Sequence, residues 1–378
     1  MMEKLDTPIT ERRRQTRNSI YQCLYNAKDP QSKQEIAQVL SLSLPTVHQN
    51  IGELVHAGLI QHGGMQRSTG GRRAVGYTIT QGARYAIGVS ITDDRLRFLA
   101  ADLQLQELAY KKTAEIEMRR VPDLGLLLAQ ELETFIDENK LERHNLLGVG
   151  LALPGVIDEE KKQITFAPTL RMTNISIDGL TAHLRYPTYV ENDGTSGGYA
   201  EYFLQPEKTS MAYLSLENGV GGAVLLNGAP YFGMHHRSGE FGHMSVEPGG
   251  LACACGKNGC LECYCSAKRI STDLGITLED FFEGLEQHNR DYEALWQDLL
   301  QHLAIGINNI RMALDCDVVL GGFLSQYMTA FLPELRRRTA ALNTFEDNAD
   351  YIDLCLYPRR AVMLGVALHF IREFIETI

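Results

Sequence analysis

The sequence predicts an α/β protein: an N-terminal winged helix-turn-helix followed by a body of two α/β lobes around a cleft. Three observations predict it. Residues 1–80 carry three helical patterns and a Gly/Arg-rich hairpin. Beyond Tyr85 a strand meander, helix, strand and helix occur twice. A histidine and several cysteines crowd together between His243 and Cys265. A chain of 378 residues is also too long for one small core and calls for more than one domain.

Composition and charge narrow the class. With 44% apolar and 22% charged residues, the chain has the make-up of a folded protein. No apolar run approaches the ~20 residues that span a bilayer. The polar stretch Met1–Arg17 lacks the apolar core of a signal peptide. A cytoplasmic protein without a membrane partner is expected. The net charge of −11 hides an asymmetry: residues 1–80 hold ten Lys/Arg against six Asp/Glu, and the remainder holds 26 against 41. A basic head on an acidic body confines any DNA-binding surface to the head.

The head, residues 1–82, reads as three helices followed by a hairpin. Arg14–Tyr25 carries Ile20 and Leu24 four residues apart. Ser32-Lys33-Gln34-Glu35 is a capping box opening a helix that is expected to bury Ile36, Val39 and Leu40. Ser43 is a natural N-cap for a third helix, whose apolar stripe runs Leu44, Val47, Ile51, Leu54 and Val55 until Gly58 stops it. The other face presents Pro45, Thr46, His48, Gln49 and Asn50. Gln and Asn can pair with adenine in the major groove, and Thr or Pro can touch a thymine methyl. Strands follow at Leu59–His62 and Ala74–Tyr77, joined by a Gly/Arg tip whose Arg67, Arg72 and Arg73 suit phosphate or minor-groove contact. Two helices joined by a short turn, a polar recognition face and a basic wing together predict binding to a double-stranded DNA operator. Paired half-sites multiply affinity, so a homodimer or tetramer is expected.

In the body, Tyr85–Ile91, Arg95–Asp102 and Leu108–Glu115 read as a meander, followed by a helix over Pro122–Asn139 and a strand at Leu147–Leu153. A similar series begins with strands Met211–Leu216 and Val220–Leu226. It continues through helix Tyr292–Leu314 and strand Asp317–Leu320, and a helix from Ala361 closes the chain. The division expected is 83–200 plus 356–378 for the smaller lobe and 201–355 for the larger.

Of eight cysteines, five lie between Cys253 and Cys265, the local clustering of a metal site rather than a disulfide framework. His243 with Cys253, Cys255 and Cys260 supplies a full tetrahedral set for Zn²⁺. With no open position, such a site is structural. Cys263 and Cys265 are surplus and read as packed thiols, although either can substitute in an alternative set.

These residues carry a family resemblance. The run Glu240–Glu262 resembles the signature of the ROK family of repressors, sugar kinases and unassigned proteins. Gly148–Asp158, Glu191-Asn192-Asp193-Gly194 and Val319-Leu320-Gly321-Gly322 are similar to further family segments. The resemblance covers essentially the whole chain. It implies a two-lobed actin-like, sugar-kinase-like (ribonuclease H-like) ATPase fold behind the winged helix. It also implies that Asn192, Asp193, Glu240, His243 and Glu262 hold sugar hydroxyls, together with Thr169, which stands where the family has an Asn. Asp193 occupies the position of the kinase base.

The phosphate cradle departs from the family's kinases. There an Asp and Gly-Gly-Thr line the first hairpin. Here Ser90 replaces the acid, Thr92 and Asp93 the glycines, and Asp94 the threonine, while Glu217 replaces a glycine in the second hairpin. Carboxylates repel a polyphosphate, and side chains obstruct close backbone approach. No catalytic residue is therefore expected to act. The leading expectation is a sugar-responsive DNA-binding regulator, a repressor of carbohydrate-utilisation genes with a small-molecule sugar effector. An active sugar kinase and a DNA-bound regulator governed by a protein partner, its sugar cleft vestigial, are the alternatives.

Overall fold

The computed structural model describes residues 11–65, 75–158, 161–167, 170 and 172–378. The head comprises α1 (Glu11–Tyr25), β1 (Gln31–Ser32), α2 (Lys33–Leu40), α3 (Leu44–His56), β2 (Ile60–Met65) and β3 (Val75–Ile79), with β3 central in a small sheet of order β1-β3-β2. Local chemistry sets the helix starts. The Ser32 hydroxyl accepts from the Glu35 amide at 3.3 Å, and the Glu35 carboxylate accepts from the Ser32 amide at 2.7 Å. Ser43 caps α3 by accepting from the Thr46 amide at 3.3 Å. The core of the head joins Ile20, Tyr21 and Leu24 of α1 to Ile36, Val47, Ile51 and Leu54. Val39 and Leu44, expected inside, are 67% and 48% exposed. The helices converge on a narrower stripe than their apolar arcs suggest.

The body contains two five-stranded sheets built to one plan. The first uses β4 (Tyr85–Ile91), β5 (Leu96–Asp102), β6 (Glu107–Lys112), β7 (Leu146–Leu153) and β11 (Thr188–Asn192) in the order β11-β7-β4-β5-β6. Between its strands lie α4 (Leu124–Glu138), the three-stranded sheet β8 (Val156–Asp158), β9 (Gln163–Ala167), β10 (Met172–Ser176), and α5 (Ile177–Thr181). The second sheet follows α6 (Asp193–Leu204). It uses β12 (Ser210–Leu216), β13 (Val220–Leu226), β14 (Ala229–Pro230), β15 (Asp317–Gly321) and β16 (Ile352–Leu354), ordered β14-β13-β12-β15-β16. In both sheets an antiparallel three-strand meander is extended by two parallel strands from its first member. The meander-helix-strand pattern in the sequence reports this repeat. Helices α7 (Glu262–Cys265), α8 (Leu278–Glu286), α9 (Arg290–Leu314) and α10 (Leu332–Ala340) complete the second half, and α11 (Ala361–Thr377) ends the chain.

Helices α6 and α11 pack together between the sheets, α6 on β12 and β13 and α11 on β4, β5 and β7. Their backbones touch at Gly365, where a Cβ would lie 1.9 Å from the Ser196 carbonyl oxygen. The Ser196 hydroxyl donates to the Val362 carbonyl at 2.6 Å. The far end of α11 carries the head: the Asn18 amide donates to the Glu376 carbonyl at 2.9 Å. Ile20, Tyr21 and Leu24 share one buried cluster with Leu103, Ala367, Phe370 and Ile371. Each such fully buried side chain contributes roughly 1.5–3 kcal/mol, so head and body form a continuous core. No helix among the described residues is long and apolar enough to cross a membrane.

Candidate functional site

A cleft of about 980 Å³ opens between the two sheets, and Asn192, Asp193, Glu240, His243 and Glu262 all line it. Thr169 lies outside the described residues, as do Arg67, Arg72 and Arg73. Asn192 and Asp193 sit where β11 runs into α6. The Asn192 side chain caps that helix, accepting from the Thr195 amide at 3.0 Å, and donates to the Gly155 carbonyl at 2.9 Å. It thereby fastens the cleft floor and has one amide proton left for a ligand. Asp193 accepts from the Gly194 amide at 2.8 Å. Burial, aided by the nearby Glu240 charge, pushes its carboxyl up to about 6.

Glu240, His243 and Glu262 come from one folded loop. The segment before Phe241 lies flush against β13, and the Glu262 carboxylate accepts from the Val220 amide at 2.9 Å, tying α7 to the start of β13. Burial raises Glu240 above the usual carboxylate range, with Glu262 adding to the rise and His243 opposing it. His243, Cys253, Cys255 and Cys260 bring their ligand atoms within 4.8 Å of one another. The Cys255–Cys260 sulfur separation is 3.7 Å, and Cys253 Sγ lies 3.9 Å from His243 Nδ1. A tetrahedral ion ~2.3 Å from each sulfur spans edges of roughly 3.8 Å, so the four donors fit a metal ion. Gly259 makes the loop possible. Its φ is +78°, and a Cβ there would meet the Glu247 carbonyl oxygen at 1.8 Å. Backbone donation at Lys257 holds the Cys255 thiol below its usual value, whereas burial pushes Cys260 up to about 12. A bound cation would take the place of the thiol proton, which passes to solvent, and hold the sulfur as a thiolate. Cys263 donates to the Ala252 carbonyl and buried Cys265 to the Leu299 carbonyl, each at 3.6 Å, as packed thiols.

The opposite end of the cleft is lined by Thr92, Asp93, Asp94, Arg97 and Glu217. The β4–β5 turn is closed on itself: the Thr92 hydroxyl donates to Asp94 at 2.7 Å, and Arg95 Nε donates to the other Asp94 oxygen at 2.7 Å. Burial alone would raise Asp94, but those two bonds outweigh it and keep the carboxylate below its usual value and ionised. Burial, and then the Asp193 charge, push Glu217 up to about 7, while Arg97 pulls the other way. This end sets three carboxylates, Asp93, Asp94 and Glu217, beside the cation Arg97, a balance unfavourable to a polyphosphate.

On the head, Pro45, His48 and Gln49 are exposed on α3, and Thr46 is half-buried, its hydroxyl 2.8 Å from that of Ser43. His48 Nδ1 lies 2.7 Å from Lys33 Nζ. Asn50 is a correction: expected on the reading face, it is 3% exposed. It faces inward beside Ile51, donates to the Thr46 carbonyl at 2.8 Å, and its Oδ1 is buried without a partner. Arg13 and Arg17 turn to Glu53 of α3, leaving them less free for a phosphate. The cleft also takes in Phe166, Met234, His235 and Arg237, which sequence reasoning missed because no motif links those separate loops.

Residues 86–368 match the model of the ROK family, and residues 15–62 match that of a helix-turn-helix domain. The xylose repressor of Bacillus subtilis (strain 168) is 27% identical over 289 residues, covering 74% of this chain and 75% of that protein. The DNA-binding transcriptional dual regulator NagC of Escherichia coli (strain K12) is 29% identical over 240 residues, covering 62% of this chain and 58% of its own. Among solved structures, a ROK family transcriptional regulator described as a homolog of the E. coli MLC protein superposes with a TM-score of 0.74 at 20% identity, covering 97% of both chains. A ROK family glucokinase from Streptomyces griseus, in complex with glucose and AMPPNP, superposes at 0.64 and 20% identity over 75% of this chain and 98% of its own. Regulator and kinase share the fold, so the fold alone does not choose between them. The family match spans the cleft, the histidine–cysteine loop and both hairpins, and the chain belongs to the ROK family.

Proposed function

We propose that this protein is a sugar-responsive, DNA-binding transcriptional regulator, a repressor of carbohydrate-utilisation genes acting in the cytoplasm, whose kinase activity has been lost. One observation carries the reading. A helix-turn-helix head shares a core with a body whose cleft gathers Asn192, Asp193, Glu240, His243 and Glu262 beside a His/Cys quartet at one end and the carboxylates Asp93, Asp94 and Glu217 at the other. Sequence relatives named as repressors support it.

In this reading Asn192, Asp193, Glu240, His243 and Glu262, with Thr169, hold the sugar, and carboxylates accept from its hydroxyls. His243, Cys253, Cys255 and Cys260 hold a structural Zn²⁺. The ion supplies rigidity, fixing Glu240 and Glu262 before the ligand arrives. Pro45, Thr46, His48 and Gln49 face the operator's bases, with the wing arginines Arg67, Arg72 and Arg73 on its backbone or minor groove. Asn50 supports α3 from inside. The functional units are 1–82, 83–200 with 356–378, and 201–355, assembled as a homodimer or tetramer. Closure of the lobes on a sugar shifts the population of DNA-competent heads, so sugar and DNA alter each other's affinity reciprocally.

A mobility-shift assay on the gene's own upstream region, repeated over a sugar panel, tests the reading. Specific retardation changed by one sugar is expected, with Gln49→Ala weakening binding about tenfold. Retardation that no sugar alters overturns the switch. Asp193-dependent phosphorylation of a hexose overturns the loss of kinase activity.

A further inference from the structure

We propose that the cavity between α6 and α11 is a second small-molecule site, adjoining the interlobe cleft and shaped for a neutral polyhydroxylated ring. It encloses about 490 Å³, within the range of small-molecule pockets. Its walls are Tyr189 on the edge strand β11, Tyr199 on α6, Phe232 beyond β14, and the face of α11 that carries His369, Arg372 and Glu376. The spacing of the last three along the helix places them in one stripe. The opposite stripe, with Leu364, Ala367, Phe370 and Ile371, is buried in the core.

The walls are set before any ligand enters. The Tyr189 and His369 rings stack with centroids 3.9 Å apart and planes 1° from parallel, and Phe370 meets His369 edge-on at 5.0 Å. Arg372 bonds Glu376 at 2.8 Å and also donates to the Tyr199 hydroxyl, lying 5.7 Å from the centre of that ring. The Tyr189 hydroxyl donates to Glu191 at 2.7 Å. Groups fixed in this way lose little freedom on binding.

Their chemistry selects the ligand. Phe232 and the ring surfaces left outside the Tyr189–His369 stack receive the C–H face of a saturated ring, while Glu373, and the lone pairs that Glu191 does not spend on Tyr189 and the Asn192 amide, accept from hydroxyls. A polyanion is disfavoured, because Glu191, Glu373 and Glu376 surround a single Arg372 that already pairs with Glu376. The position makes the site consequential. Glu191, Thr195 and Phe232 line both this cavity and the cleft. At the other end, the Glu376 carbonyl is the acceptor for Asn18 of the head. An occupant therefore touches the turn of α11 on which the DNA-binding unit rests.

The test is calorimetric titration of the full-length protein with D-xylose, D-glucose and N-acetyl-D-glucosamine, comparing the unsubstituted chain with Asp193→Asn and His369→Leu. The Asp193→Asn protein is expected to retain one equivalent of bound sugar, and His369→Leu to weaken that equivalent about tenfold while keeping the one in the cleft. Should His369→Leu lower the melting temperature appreciably, Tyr199→Phe removes only a hydroxyl and is expected to weaken the same equivalent about threefold. An Asp193→Asn protein that binds none of the three sugars overturns the second site. A His369→Leu protein that binds none overturns the cleft site instead, so the two failures are distinct.

Discussion

The two ends of the interlobe cleft carry contrasting chemistry on one backbone plan. At one end Glu240, His243 and Glu262 stand on a loop whose four ligand atoms lie within 4.8 Å of one another. At the other, the β4–β5 turn has folded onto itself through Thr92, Asp94 and Arg95, and Glu217 faces it from the equivalent hairpin of the second sheet. The strands beneath both ends keep their order and register. Under the proposed function, a few side chains at two hairpin tips separate a sugar sensor from a phosphate-transferring enzyme on one arrangement of sheets.

The strongest way to break the contrast is to unpin the loop. Cys260→Ser should reduce bound metal to less than half an equivalent by elemental analysis, and weaken sugar binding about 100-fold, because Glu240 and Glu262 lose their fixed geometry. Unchanged sugar affinity would detach the metal from the sugar end. Next in size is Gly365→Val, which drives α6 and α11 apart where a Cβ already lies 1.9 Å from Ser196 O. Overpacking of this kind costs about 3 kcal/mol, read by denaturant unfolding.

A smaller effect sharpens the phosphate end. The combined change Asp93→Gly, Asp94→Thr and Glu217→Gly removes three carboxylates and should raise ATP affinity about tenfold over that of the unsubstituted protein. Equal retention by both would show that charge is not what closes this end. The smallest effect concerns pH. The Glu217 carboxyl titrates near 7 in the folded chain against an ordinary 4.5. Between those values the folded state holds the extra proton. Stability is therefore full below pH 4.5 and declines as pH rises through 7. With solvent partly reaching the group, the decline is roughly 1 kcal/mol. Glu217→Gln should flatten that part of the stability curve in thermal scans between pH 5 and 8.

Much of this architecture was legible in local chemistry. The capping box at Ser32 and Glu35, the N-cap at Ser43, the first meander and the histidine–cysteine quartet are short-range patterns, and the structure reproduces each. What escaped depends on phase and assembly. Asn50 looks like a surface residue by type, but its turn of α3 points inward beside Ile51, where it satisfies the Thr46 carbonyl. Val39 and Leu44 look like core by type and fall just beyond the stripe on which α2 and α3 converge. The role of Asn192 as a helix cap became visible only once β11 and α6 were joined in space. The cavity lined by Tyr189, Tyr199, His369, Arg372 and Glu376 draws on residues up to 187 positions apart, with no motif among them.

The proposed coupling, by which a sugar in the cleft changes how the head holds DNA, is open to a direct measurement. DNA affinity is determined by fluorescence anisotropy on the upstream region, with and without the activating sugar, for the unsubstituted protein and for Asp193→Asn. Sugar is expected to shift the affinity of the unsubstituted protein about tenfold or more, a coupling typical of two linked sites. Asp193→Asn is expected to bind the same DNA with that shift largely abolished. An equal shift in both proteins, or none in either across the sugar panel, would contradict the coupling.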